Sequence, residues 1–136
     1  MTALAGDRGT LLREPVLRTL PVAAGVIVYA GAQVVLNVAG FVEPGSTATG
    51  KTALGRAEHY ANNSSGANGA AVVQVRRGTF AWNNSPGNDA VTLVNIGAPC
   101  WIVDDNTVAA TSANNTRSPA GVVFAVDADG VWVTIE

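Results

Sequence analysis

The sequence predicts an all-β fold, mainly antiparallel. Residues 21–136 form a single β-rich domain, a compact β-barrel or sandwich, and residues 1–20 form an extended N-terminal arm. At most one or two short helices are expected. Three observations lead to this. Apolar residues come in short, β-branched runs such as Val26-Ile27-Val28 and Trp101-Ile102-Val103, bounded by Gly, Asn, Asp and Pro. Within longer runs, apolar residues recur with the period of two of a half-buried strand. A chain of 136 residues with 48% hydrophobic content also suffices for one core without metal or disulfide. The single cysteine, Cys100, has no internal partner.

Charged residues make up only 13% of the chain, against about 25% in ordinary domains, and the net charge is -2. Nucleic-acid binding needs a basic face that displaces counterions, so no nucleic-acid partner is expected. From Thr19 to Val42 there is no charged residue, a stretch long enough to suggest a bilayer span of about 20 residues. Ala30-Gly31-Ala32 also mimics a signal-peptidase site. Pro21, Gly25, Gly31, Gln33, Asn37 and Gly40 cut the stretch into strand-length pieces, so strands with tight turns are expected and no membrane association.

In the arm, Gly6, Gly9 and Pro15 prevent a continuous helix, and Leu11, Leu12, Val16 and Leu20 are too scattered for a core. A frayed terminus is the plain reading. The alternative is an arm that orders on a partner, because those side chains are costly to leave in water. Next, Val26–Tyr29 and Gln33–Val38 read as a hairpin across Ala30-Gly31-Ala32. The run from Asn62 to Gly69 reads as a long turn ending in Asn-Gly. It feeds Ala70–Trp82, where Ala71, Val73 and Val75 alternate, then Phe80 and Trp82 continue one position out of phase. A bulge at Arg77-Gly78 would return both sets to one face. Two further hairpins cross Asp104–Thr107 and Asp127–Gly130; in the second, Val122, Phe124 and Val126 face Val131, Val133 and Ile135. Helical spacing occurs in Thr52–Ala61 and in Asp89–Ile96, the latter stopped by Gly97.

Gly45-Ser46-Thr47-Ala48-Thr49-Gly50-Lys51-Thr52 fits the phosphate-binding pattern G-x-x-x-x-G-K-[ST], in which backbone amides and a lysine surround phosphates. The helical spacing after it favours that reading, and Asp104 in Trp101-Ile102-Val103-Asp104-Asp105 resembles the acidic strand that completes such sites. Against it stand Gly40, Glu43 and Pro44, which interrupt the required buried strand, and the lack of repeated βαβ units. A small nucleotide-binding protein using Gly45–Thr52 is the alternative to the main reading. Other chemistry is sparse. His59 is the only histidine, Cys100 lies among apolar neighbours, and the pairs Asp104/Asp105 and Asp127/Asp129 sit in turns. No catalytic residue, metal ligand or cofactor is expected, and the chain does not read as an enzyme. Arg76 and Arg77 are the only adjacent basic pair, either bridged to Glu58 or facing an acidic partner.

The order and spacing of several segments carry a resemblance over nearly the whole chain: Met1-Thr2-Ala3-Leu4, Pro21–Val26, Tyr29–Ala32, Gly45–Gly50, Gly55–Glu58, Val75–Phe80, Ile96-Gly97, Trp101–Ala109 and Asp127–Val133. In these the chain resembles the small head decoration, or capsid cement, proteins of Mu-like and related tailed bacteriophages. Lys51 after Gly50 departs from the pattern of that family. The resemblance implies a β-rich structural protein of the virion that binds the outer surface of the assembled capsid, bridges neighbouring major capsid proteins and resists internal DNA pressure. It implies assembly in the host cytoplasm and a major capsid protein as partner. Self-association as a homotrimer is favoured, with a dimer as the alternative. Arg8, Leu11, Leu12, Arg13, Val16, Arg18, Arg76 and Arg77 are the expected contacts to the capsid or to other subunits.

Overall fold

The computed structural model describes residues 2–136; residue 1 of the expected arm lies outside them. In the first half of the chain lie β1 (Leu17–Pro21), β2 (Ile27–Val28), β3 (Gln33–Leu36), β4 (Val42–Pro44), β5 (Thr52–Ala57), β6 (Ala61–Asn62) and β7 (Val72–Arg76). In the second lie β8 (Gly78–Asn84), β9 (Pro99–Ile102), β10 (Thr107–Ala109), β11 (Pro119–Asp127) and β12 (Gly130–Ile135). Five strands form an antiparallel sheet in the order β1-β7-β5-β3-β4, and β2 pairs with β6. The other five close a barrel in the order β10-β8-β12-β11-β9, antiparallel except where β10 runs parallel to β8. The fold is therefore all-β and mainly antiparallel, with a barrel as its second half.

Each half has its own core, and β3 is the wall between them. Successive residues of a strand point to opposite faces. Val34 accordingly packs with Val22, Val28, Val42, Val73 and Val75, while Val35 packs with the barrel interior of Phe80, Trp82, Ile102, Val108 and Val133. Both faces of β3 are covered, which is why Gln33-Val34-Val35 reads as an unbroken buried run. Gln33 locks the two halves together. Its Nε2 donates to the carbonyls of Asp104 and Thr107, at 2.7 and 3.1 Å, and its backbone N–H donates to the Asp105 carbonyl at 2.7 Å.

Several local expectations are corrected. The arm is shorter than residues 1–20, because Leu17–Leu20 belong to β1 and pair with β7. Val26–Tyr29 and Gln33–Val38 do not form a hairpin: β2 joins β6, a distant partner, and β3 lies between β4 and β5. Thr52–Ala57 is strand β5, not helix, because Leu54 and Ala57 fill the sheet core while Gly55 lets β7 approach closely. Asp89–Ile96 is not a two-turn helix but holds parts of two 3-10 turns, Gly87–Asp89 and Leu93–Asn95. The phase slip at Arg77-Gly78 is not a bulge within one strand. There the chain leaves the sheet for the barrel, so Val73 and Val75 serve one core and Phe80 and Trp82 the other.

The two C-terminal hairpins form as expected, with Val108 opposite Ile102 and Val131 opposite Val126. In the last one, a bulge between Val123 and Ala125 changes which side chains face inward. Val123 is buried, whereas Val122 and Phe124 are exposed, the reverse of the alternation expected for them. Val131, Val133 and Ile135 do face the core.

Asp89 fastens the loop that precedes β11. Its carboxylate accepts from the Thr111 hydroxyl at 2.6 Å and from Arg117 Nη1 at 2.7 Å. Those two bonds hold the Asp89 carboxyl below the usual carboxylate range. A depressed carboxyl stabilises the fold fully above its unfolded value, about 3.9, and that contribution is lost as pH falls through the lower folded value. Asp89→Asn should therefore cost about 1–2 kcal/mol at neutral pH, since it leaves Arg117 half-enclosed without its counter-charge. Urea denaturation of both proteins should show the gap beginning to narrow below about pH 4, the unfolded value, and closing only as the pH falls through the lower folded value of Asp89.

Candidate functional site

Residues 2–15 run as an extended segment outside the sheet, whose one backbone hydrogen bond is a local turn bond from Thr10 N–H to the Arg8 carbonyl. Leu11 and Leu12 are each 93% exposed, Leu4 is 73% exposed, and Arg8 is exposed beside them. Glycines and Pro15 keep the arm out of helix, and no body residue offers these leucines cover. At up to about 3.3–3.6 Å per residue, such an arm can reach on the order of 50 Å from its root.

The root is fixed. The Arg77 backbone N–H donates to the Val16 carbonyl at 2.9 Å, just where the chain crosses from β7 to β8. Around it lies a hollow of about 310 Å³ lined by Arg13, Glu14, Pro15, Val16, Leu17, Arg18 and Arg77. Three arginines and one glutamate give this hollow a positive balance on a chain whose net charge is -2. The structure thus brings Arg13, Val16, Arg18 and Arg77 together, and leaves Arg8, Leu11 and Leu12 farther out on the arm. Glu14, Pro15 and Leu17 complete the hollow. Sequence reasoning passed over them; their adjacency to Arg13 and Arg18 was the available signal.

Arg76 is placed differently from Arg77. Its Nε lies 3.3 Å from Glu58 Oε1, which also receives Arg56 Nη2 at 2.9 Å. Desolvation would raise the Glu58 carboxyl, but hydrogen bonding and charge from Arg56 and Arg76 together outweigh it and hold it low. Arg56 also stacks over the Phe80 ring at 4.8 Å, tying the sheet to the barrel. Arg76 is therefore engaged within the chain, and of the adjacent basic pair only Arg77 joins the arm hollow.

The Gly45–Thr52 stretch is a connector strapped to the barrel. The Gly45 N–H donates to the Gln33 carbonyl, and Thr47 Oγ1 donates to the Val103 carbonyl at 2.9 Å. Ser118 Oγ accepts from the Lys51 N–H and donates to the Ala48 carbonyl. The Lys51 ammonium pairs with Glu43. A phosphate cradle needs free backbone amides, a free lysine and a helix starting after it. Here strand β5 follows instead. Gly45 is explained by packing: a Cβ there would lie 3.0 Å from the Asp104 carbonyl and from Ile102.

The remaining candidates are structural in place. Cys100 is buried, and burial pushes its thiol up to about 12, so it stays protonated at neutral pH. His59 Nε2 accepts from the Gln74 N–H at 3.1 Å, with Nδ1 against the Tyr60 carbonyl. Asp104 accepts from the Asn106 N–H, and Asp127 from the Asp129 N–H and the Trp132 indole. Among the described residues, no three His, Cys, Asp or Glu side chains gather as metal ligands, and no helix is long and apolar enough to cross a membrane. No protein-family model, curated protein or solved structure matches the chain.

Proposed function

We propose that this protein is a decoration, or cement, protein of a tailed-phage capsid, binding the outer surface of the assembled head and bridging neighbouring major capsid proteins. The observation that carries the reading is the arm: Leu11 and Leu12 stand almost fully in water on a segment rooted in the Arg13–Arg18–Arg77 hollow. Two adjacent leucines left uncovered gain free energy when a partner surface buries them, which supports an arm that orders on binding. On the head, the arm orders over that surface, its leucines are buried, and the arginines at its root meet acidic groups of the major capsid protein. The sheet and barrel act as a rigid plug that sets the direction of the arm. Several copies joined as a homotrimer, or as a dimer, engage several capsid subunits at once, and the linked contacts resist opening of the shell. The role is binding, with no reaction and no cofactor, carried out on the virion surface after assembly in the host cytoplasm.

Sedimentation of the purified protein with undecorated phage heads tests this. Saturable co-sedimentation is expected, together with no heat on titration with ATP and Mg²⁺. Lys51→Ala should bind heads like the wild type. Nucleotide heat that disappears in Lys51→Ala, without head binding, would overturn the reading in favour of the nucleotide-binding alternative.

A further inference from the structure

Five large apolar side chains stay in water on one side of the barrel: Leu93, Val94 and Ile96 in and after the second 3-10 turn, and Val122 and Phe124 on β11. Backbone bonds make them neighbours. The Gly97 N–H donates to the Val123 carbonyl at 2.9 Å, and the Val123 N–H to the Ala98 carbonyl at 3.0 Å. Val123 points into the core, so Val122 and Phe124 emerge on the outer side of the strand to which Gly97 and Ala98, just after Ile96, are bonded.

The backbone holds these side chains out. Phe124 is the extra residue of a β-bulge, since Val123 faces Val133 and Ala125 faces Trp132 across β12. Bulges of this kind re-aim a side chain. Val94, 92% exposed, projects from a turn closed by reciprocal hydrogen bonding between Thr92 and Asn95. Neither residue is exposed merely because its segment is loose.

We infer that this patch is where copies of the chain meet one another. Its exposed apolar area is on the order of 500 Å², in the upper range for the largest such patch on a monomer. A stable association takes roughly 800 Å² per partner, so a contact centred on this patch would also draw in the surface around it. Charge selects the occupant. Residues 90–103 and 118–126 contain no charged side chain, and Arg117 just outside is tied to Asp89. When copies of one chain meet, a charge near the contact risks facing its own sign, so a neutral surface suits self-association. A membrane surface would instead call for lysine or arginine around the apolar centre. The inference deepens the capsid reading by naming the contact that joins the arms into one multivalent unit. It rests on that reading only for its purpose, because its test contains no heads.

Sedimentation equilibrium of the free, full chain over a concentration series tests it, alongside Val94→Asp and Phe124→Ser. The wild type should exceed the monomer mass of 13.8 kDa, with each variant weakening association at least tenfold, as central interface residues do. Both variants should melt like the wild type, because neither side chain is buried. A wild type that stays monomeric throughout, or variants that associate undiminished, would overturn the inference. A monomer that pellets with neutral or anionic lipid vesicles would also overturn it, and assign the patch to a lipid surface.

Discussion

Deleting residues 2–15 should abolish coating of undecorated heads while leaving a folded body. Burial of Leu11 and Leu12 is worth about 1.5–3 kcal/mol each, and a tenfold change in affinity is about 1.4 kcal/mol. After the cost of ordering the arm, a loss of at least about a hundredfold per site is expected, and multivalency enlarges it. The cut must stop at residue 15. The Val16 carbonyl holds the Arg77 N–H, and from Leu17 onward the chain is edge strand β1 on β7. Deletion through residue 20 would uncover Val73 and Val75 and confuse lost binding with lost folding. The shorter deletion should shift the melting temperature by only a few degrees, because the arm makes no contact with the core. Leu11→Asp with Leu12→Asp, which keeps the arm at full length, should reproduce the binding loss. Unchanged affinity in both proteins would show that the arm is not the contact.

Gly55→Ala should destabilise the fold more than any surface change. Gly55 lies in β5 at φ +137, and a Cβ there would stand 2.1 Å from the Arg76 carbonyl oxygen and 2.9 Å from its carbon. The obstructing atoms are backbone, at the point where the chain crosses from sheet to barrel, so no side-chain rotation relieves the overlap. Backbone strain and overpacking each cost about 1–3 kcal/mol, so a combined loss of about 3 kcal/mol is expected. For a chain of this size that lowers the melting temperature by on the order of 10 °C. The same close approach holds Arg56 and Arg76 together on Glu58, so the loss should be accompanied by a weaker acid-side dependence of stability. A melting temperature within two or three degrees of wild type would mean that β5 and β7 are not packed this way.

Gly55 also marks where the sequence is hard to read. Leu54 and Ala57 are spaced like a helical stripe, and only the pairing of β5 with β3 and β7 makes them strand residues. The pairing of β2 with β6 joins Ile27 to Asn62, and no local signal announces a contact that distant. Hairpins were legible because their information is local: Asp127–Gly130 and Asp104–Thr107 carry both the turn chemistry and the flanking alternation. Alternation failed where the backbone gains a residue, as at Phe124, since a bulge leaves composition unchanged and reverses the face. The slip after Arg77 was visible, but a bulge and a change of sheet look identical in one dimension. For the site, Leu11, Leu12, Arg13 and Arg18 stood out as apolar and basic residues in a segment with no core of its own. That Arg77 joins them, while Arg76 turns to Glu58, depends on the crossing and could not be read from two adjacent arginines.

Electron cryomicroscopy of heads saturated with the protein tests the central claim most directly. The account predicts protruding density on the outer face of the shell that fits the sheet and barrel, with an arm extending from the Arg13–Arg77 hollow onto a major capsid protein. Density on the inner face, or heads unchanged at saturating protein, would contradict it.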